Sequence, residues 1–160
     1  MDISNEALIT IVASLPVSEL RGAIPLGLYL KEPIIKVVLL SIIGNLLPVA
    51  PILLFLTPIS EKLRHFKLWS RFFDWLFERT KIKAAVVEKY EALGLALFVA
   101  IPLPVTGAWT GCIAASLFKI RFRYAFLSIL LGVIIASIIV TILSLSGIII
   151  YHHNATHILR

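Results

Sequence analysis

Twice along this chain an apolar block is cut near its middle by a cluster of prolines, glycines and polar residues. The block 7–30 is interrupted by Leu15-Pro16-Val17-Ser18-Glu19-Leu20-Arg21-Gly22-Ala23-Ile24-Pro25. The block 92–118 has no formal charge and is interrupted by Ile101-Pro102-Leu103-Pro104-Val105-Thr106-Gly107-Ala108-Trp109-Thr110-Gly111. Proline removes a helix hydrogen bond and clashes with the preceding turn, and glycine adds backbone entropy, so neither block suits a continuous helix. Two half-helices meeting at a turn, entering and leaving by the same face, suit the pattern better. At membrane depth such a backbone is tolerated only where protein or a water-filled cavity satisfies it.

Two further blocks fit ordinary spans. Segments 37–60 and 124–151 carry no formal charge, and about 20 apolar residues suffice to cross a bilayer. Gly44, Pro48 and Pro51 predict a kink in the first. Composition removes the soluble alternatives: the chain is 59% hydrophobic and 15% charged, against roughly 25% charged in an average soluble domain. A single cysteine, Cys112, excludes a disulfide scaffold, and the apolar content excludes a disordered chain. The net charge of +6 resides in basic residues set between apolar blocks, so anionic lipid headgroups rather than nucleic acid are the expected partner. The acidic start, Asp2 and Glu6, lacks the positive opening of a signal peptide.

The blocks recur in order, which predicts a single all-α membrane domain over 1–160. Repeat 1 (7–58) is a re-entrant hairpin 7–30 and a transmembrane helix 35–58. Repeat 2 (92–151) is a re-entrant hairpin 92–118 and a transmembrane helix 123–151. Pro16 corresponds to Pro102, Gly22 to Gly107, and Ser41-Ile42-Ile43-Gly44 to Ser128-Ile129-Leu130-Leu131-Gly132. Each repeat crosses once, so the second is inverted, the arrangement found in secondary transporters with paired broken helices. Four uninterrupted helices with proline kinks are the alternative.

Between the repeats, 61–91 reads as an amphipathic interfacial connection. Phe66, Trp69, Phe73 and Leu76 recur at helical spacing opposite Arg64, Lys67 and Arg71, and Thr80 suits the cap of a short helix ending at Glu91. Eleven Lys and Arg residues fall in 61–91 and 119–123, against Lys31, Lys36 and Arg160 opposite. The positive-inside rule therefore places the connection in the cytoplasm of a multi-pass cell-membrane protein.

Glu19 and Arg21 are the sharpest chemical feature. An ionisable residue at mid-membrane costs roughly 2.5–3.5 kcal/mol, so such residues are usually functional. Arg21 suits an anionic group, which its planar fork can grip by two oxygens. Glu19 is a candidate proton carrier, with burial favouring its neutral form and Arg21 its charged form. A structural ion pair bracing the break is the alternative. Spaced i, i+2, the two would not face each other on a regular helix. In the second cluster, Thr106 is expected to cap the following half-helix, whose N-terminus would suit an anion. Thr110 offers a hydroxyl, and Trp109 either stacks on a ligand or packs. Asn45 reads as an interhelical hydrogen-bonding residue. His152, His153 and His157 read as a solvated terminus. Cofactors and metals are not expected, because neither a phosphate loop nor a zinc motif occurs.

The stretches Leu15-Pro16-Val17-Ser18-Glu19-Leu20-Arg21-Gly22-Ala23-Ile24-Pro25-Leu26-Gly27 and Phe98-Val99-Ala100-Ile101-Pro102-Leu103-Pro104-Val105-Thr106-Gly107-Ala108-Trp109-Thr110-Gly111 resemble the two signature stretches of the putative small multi-drug export protein family, related to the DedA superfamily. The resemblance implies two facing re-entrant hairpins and membrane transport. DedA relatives are associated with moving lipids, polyprenyl-phosphate carriers among them, with proton coupling. They place acidic residues in the first hairpin, as Glu19 is placed here, and arginines in the second. This chain has Pro104, Val105 and Thr106 there instead, which weighs against a phosphate-lipid substrate.

The combined expectation is a proton-coupled secondary transporter, not an enzyme, that exports or flips a small amphiphilic or lipid-linked anionic substrate. Its pathway is Glu19, Arg21, Thr106, Thr110 and Trp109, with breaks shaped by Pro16, Gly22, Pro25, Pro102, Pro104, Gly107 and Gly111. Membrane lipids and protons are its partners, and a homodimer is one way for so small a chain to complete a pathway. An uncoupled lipid scramblase and a purely structural membrane protein are the rival readings.

Overall fold

A computed structural model describes residues 4–55, 84–103 and 106–158. Much of the connection, including Phe66, Trp69, Phe73, Leu76 and Thr80, therefore lies outside the described residues, as do Pro104 and Val105. Helix is the only regular secondary structure among the described residues.

Helix α1 (Asn5–Ser14) is started by Ser4, whose Oγ accepts from the Ala7 N–H at 3.3 Å. It stops where Pro16 forces the residue before it into an extended conformation, and Leu15 has φ −75 and ψ 141. After a turn through Pro16, Val17 and Ser18, helix α2 (Glu19–Tyr29) runs back along α1. At 10 and 11 residues, each is about 15 Å long, half the roughly 30 Å of bilayer hydrocarbon. The hairpin begins and ends together: Asn5 Nδ2 donates to Glu32 at 3.1 Å, and Lys36 bonds both Glu6 and Glu32, at 2.6 and 3.0 Å.

Helix α3 (Ile34–Leu46) follows, turns at Leu47-Pro48 where proline has no N–H to offer, and continues helically over 49–55. In the second half, α4 (Ala84–Ala100) leads to the break at 101–107, then α5 (Ala108–Leu117), then α6 (Phe122–Ile158). Helix α4 passes without interruption through Glu91, so no short helix ends there. Ile34–Phe55 and Phe122–Ile148, of 22 and 27 residues, are long and apolar enough to cross a membrane.

The two halves close their second short helix in the same way. Beyond α2, Lys31 takes φ 60, with the Glu32 N–H donating to Gly27 O and the Lys31 N–H to Leu28 O. Beyond α5, Lys119 takes φ 56, with Ile120 donating to Ala115 O and Lys119 to Ser116 O. Both are the paired-hydrogen-bond C-terminus that usually carries glycine at the left-handed position. Linkers of equal length, Leu30-Lys31-Glu32-Pro33 and Phe118-Lys119-Ile120-Arg121, then open the two long helices. Gly44 on α3 lies against the Thr10 carbonyl of α1, and Gly132 on α6 against the Ala96 carbonyl of α4. A side chain at either glycine would hold those helix pairs apart.

Over an apolar core, the outer face is apolar too, unlike that of a water-soluble protein. Large apolar side chains face outward along α3 (Leu39, Ile43, Leu47) and α6 (Leu127, Leu131, Ile138, Ile142). The buried set includes Glu19, Ser41, Asn45, Ser116, Ser128 and Ser137 beside Ile9, Ile24, Val37, Val99 and Ile129. An apolar surface of that extent marks contact with lipid: this is a helical membrane protein.

Candidate functional site

The site forms where the break of one half meets the break of the other. Glu19, the first residue of α2, has φ 45, the left-handed region that a residue with a side chain rarely adopts. Only 5% of it is exposed. Its carboxylate reaches α5, where the Trp109 N–H donates to Oε1 at 3.4 Å. A Cβ built on Gly107, the N-cap of α5, would lie 2.6 Å from the Glu19 carboxyl carbon. The space that a side chain at 107 would fill is occupied by that carboxylate. Glu19 therefore supplies, from a different hairpin, the acceptor that a helix N-terminus lacks.

Arg21 carries the reciprocal contact. Its guanidinium donates to the carbonyls of Leu103 and Thr106 in the second break and comes within 3.5 Å of Glu19 Oε2. Charge from the first hairpin thus satisfies the backbone of the second, as an interrupted helix in an apolar medium requires. The left-handed turn at Glu19 explains how residues spaced i, i+2 face each other. The Trp109 and Arg21 contacts to the Glu19 carboxylate are long, at 3.4 and 3.5 Å, and the Ala108 N–H is a further donor to it, so the buried charge is shared among several partners rather than held in a tight pair.

Thr106 does not cap α5. Its Oγ1 donates to Ile101 O and accepts from the Leu103 N–H at 3.1 Å, closing the turn of its own break. The cap position is Gly107, which has no side chain to offer. Trp109 Nε1 donates to Ser14 O at 3.2 Å, tying α5 to the last residue of α1. Thr110 Oγ1 returns to Gly107 O at 3.2 Å. Pro16 and Pro102 stand in the breaks, but Gly22 and Pro25 are inside α2 and Gly111 is inside α5. Gly22 sits over the Ser18 side chain and Gly111 over Val99, at distances that leave no room for a Cβ. They serve close packing rather than interruption.

A small, partly open cavity of about 10 Å³, room for about one water molecule, lies at this junction. Glu19, Arg21, Asn45 and Thr106 give it polar walls, and Val99, Ala108, Val133, Ala136 and Val140 give it apolar ones. Trp109 and Thr110, expected on the pathway, do not line it. Asn45 bonds no other helix: the residue lines the cavity, and its buried amide has no hydrogen-bond partner among the described residues. A lone polar residue in an apolar span was the available signal for its role, and the packing around it decides the outcome. No cluster of His, Cys, Asp and Glu among the described residues is placed to hold a metal ion.

Residues 19–139 match the model of a family described as putative small multi-drug export protein. The match opens at Glu19 and contains all of Ile34–Phe55, the second break and the first half of α6. No curated protein and no solved structure is significantly similar to the chain.

Proposed function

The chain belongs to the putative small multi-drug export protein family, and from that membership we propose a proton-coupled membrane transporter whose site is the cavity between the two helix breaks. The carrying observation is the Glu19 carboxylate, buried on Gly107 at the N-terminus of α5, where the Trp109 and Ala108 N–H groups donate to it and Arg21 stands at 3.5 Å. Ionised, Glu19 occupies the α5 N-terminus and engages Arg21. Protonated, it loses its charge-dependent attraction to both, so the α5 N–H groups and the guanidinium become available to the anionic head of an amphiphile. The apolar wall of Val133, Ala136 and Val140 would face the tail once the cavity, of about 10 Å³ here, opens. Protonation of one side chain thereby governs whether a head group can bind.

In this reading the two short-helix pairs are re-entrant hairpins, and the halves are inverted repeats. The matched Lys31 and Lys119 termini, the equal linkers and the Gly44 and Gly132 contacts support that arrangement. The basic connection 61–91 faces the cytoplasm, lipids surround the apolar faces, and a homodimer would extend the short pathway. The link to DedA proteins belongs to the same proposal.

The test is the full chain in phosphatidylethanolamine–phosphatidylglycerol vesicles. Movement of a fluorescent phosphatidylglycerol across the bilayer is followed by dithionite quenching between pH 5.5 and 8. Flux is expected to depend on pH in the wild type and to lose that dependence in Glu19→Gln. Equal pH profiles for the two proteins remove Glu19 from the mechanism, and wild-type flux indifferent to pH identifies a scramblase.

A further inference from the structure

Ser41 and Asn45 lie one turn apart on α3 and so share a face. Asn45 is 1% exposed and Ser41 is fully buried, yet Asn45 Nδ2, Asn45 Oδ1 and Ser41 Oγ have no hydrogen-bond partner among the described residues. Buried side-chain polar groups nearly always have one, and an amide left without one destabilises the fold. Packing alone does not call for an amide here. Counting from the matched linkers, Asn45 follows Gly44 as Val133 follows Gly132, and both residues line the cavity. Valine fills the equivalent place in the second half, so the donor and acceptor of Asn45 answer a need that its counterpart lacks.

We propose that the Asn45 amide is a binding site for a neutral O–H group held in the cavity beside Glu19. Such a group accepts from Nδ2 and donates to Oδ1, which satisfies both halves of the amide with one atom. A hydroxyl adds no charge to be desolvated next to the Glu19–Arg21 couple. It comes from one of two sources, a bound water or the hydroxyl of an amphiphile. Ser41, one turn further along α3, offers a second partner for the same hydrogen-bonded row. The proposal deepens the transport reading, since it takes the same cavity as the site, but it concerns a polar wall that reading leaves without a role.

The chain has three asparagines, Asn5, Asn45 and Asn154, so ¹⁵N-asparagine labelling of the full-length protein in lipid vesicles gives three side-chain amide signals. Asn45→Val identifies the relevant one. Water-edited solid-state NMR is expected to show transfer from water to the Asn45 amide. After addition of 1-decanol labelled with ¹³C at C1, a dipolar contact to Nδ2 identifies the amphiphile as the source of the hydroxyl, whereas water transfer that persists without the contact identifies water. Transfer from neither source overturns the proposal. Thermal unfolding supplies a second measurement. Asn45→Val is expected to leave the midpoint unchanged or raised, and a fall of several degrees would show that the amide has a partner in the chain. Neither readout involves flux, so this inference and the role of Glu19 as proton carrier fail independently.

Discussion

Gly107→Ala separates the contact between the two breaks from everything else in the fold. The backbone at 107 is extended, with φ 161 and ψ −169, a conformation that alanine adopts freely. With free space around it, the substitution would stabilise by about 0.4–1 kcal/mol by restricting the unfolded chain. The space is not free, because the new Cβ would lie within 2.6 Å of the Glu19 carboxyl carbon. The carboxylate is the mobile end of a side chain and is the group that must give way. Moving, it forfeits the Trp109 N–H and the Arg21 guanidinium, and hydrogen bonds to charged groups contribute about 1.5–3 kcal/mol each. The long distances put the combined loss near the low end of one such bond, on the order of 2 kcal/mol.

Offsetting the entropic gain leaves a net destabilisation of about 1–1.5 kcal/mol. For a chain of this length that corresponds to a fall in melting temperature of roughly 2–6 °C. Thermal unfolding of the purified protein in detergent measures it, and a double-mutant cycle with Glu19→Ala isolates the cause. In the Glu19→Ala background the obstacle is gone, and Gly107→Ala should be neutral or stabilising. An equal fall in both backgrounds, or a rise in the wild type, would refute the account of Glu19 as the cap of α5.

Two other perturbations probe the frame around the site. Gly44→Ala sets a Cβ against the Thr10 carbonyl and 2.9 Å from Ala13 Cβ; neither can swing away, so a loss of about 1–3 kcal/mol is expected in the same melts. Gly147→Ala, with nothing within 4 Å of the new methyl, should instead be neutral or raise the melting temperature through helix propensity, by roughly 0.5–1 kcal/mol at most. At the hairpin ends, Asn5 and then Lys36 hold the Glu32 carboxyl below its ordinary range. The stabilisation is present above the ordinary carboxyl pKa and is lost as pH falls through the lowered one. Protection of the first-turn amides of α1, taken relative to the intrinsic exchange rate at each pH, should fall between pH 5 and 3 in the wild type, and Glu32→Gln should show the lower protection throughout.

What the residues revealed by themselves follows the range of the forces involved. The first break was legible because Pro16 acts on its immediate neighbour, Leu15, and the long helices were legible because hydropathy is additive along the chain. Gly22, Pro25 and Gly111 misled because a glycine or proline is tolerated inside a helix when a neighbour packs against it, and Ser18 and Val99 do not announce themselves from afar. The left-handed Glu19 has no signature in a string that reads as the start of a helix. Thr106 illustrates the general difficulty: local rules assign it the cap, but a carboxylate from the first hairpin takes the role, and no local rule weighs residues so distant.

Cavity polarity is where the halves part company. Under the proposed repeat, counting from the matched linkers sets Glu19, rather than the Gly22 that the sequence aligns there, in the place of Gly107 and Asn45 in the place of Val133, and all four line the same space. Equivalent positions thus meet across the junction, one charged or polar and the other small or apolar. Had both halves carried a glutamate at this position, two carboxylates would have been forced together in a site with one arginine. Had both carried glycine, the N-terminus of α5 would have been left without an acceptor in an apolar medium. The pairing of one carboxylate with one glycine satisfies the backbone while leaving a single ionisable group at the junction. A group that caps a helix more strongly when charged than when neutral would, under the proposed mechanism, couple its protonation to the contact between the two breaks. Transferring the carboxylate to the other half, in a Glu19→Gly, Gly107→Glu double variant, should therefore recover part of the thermal stability lost in either single change, and no recovery would mean that the halves are not equivalent at this junction.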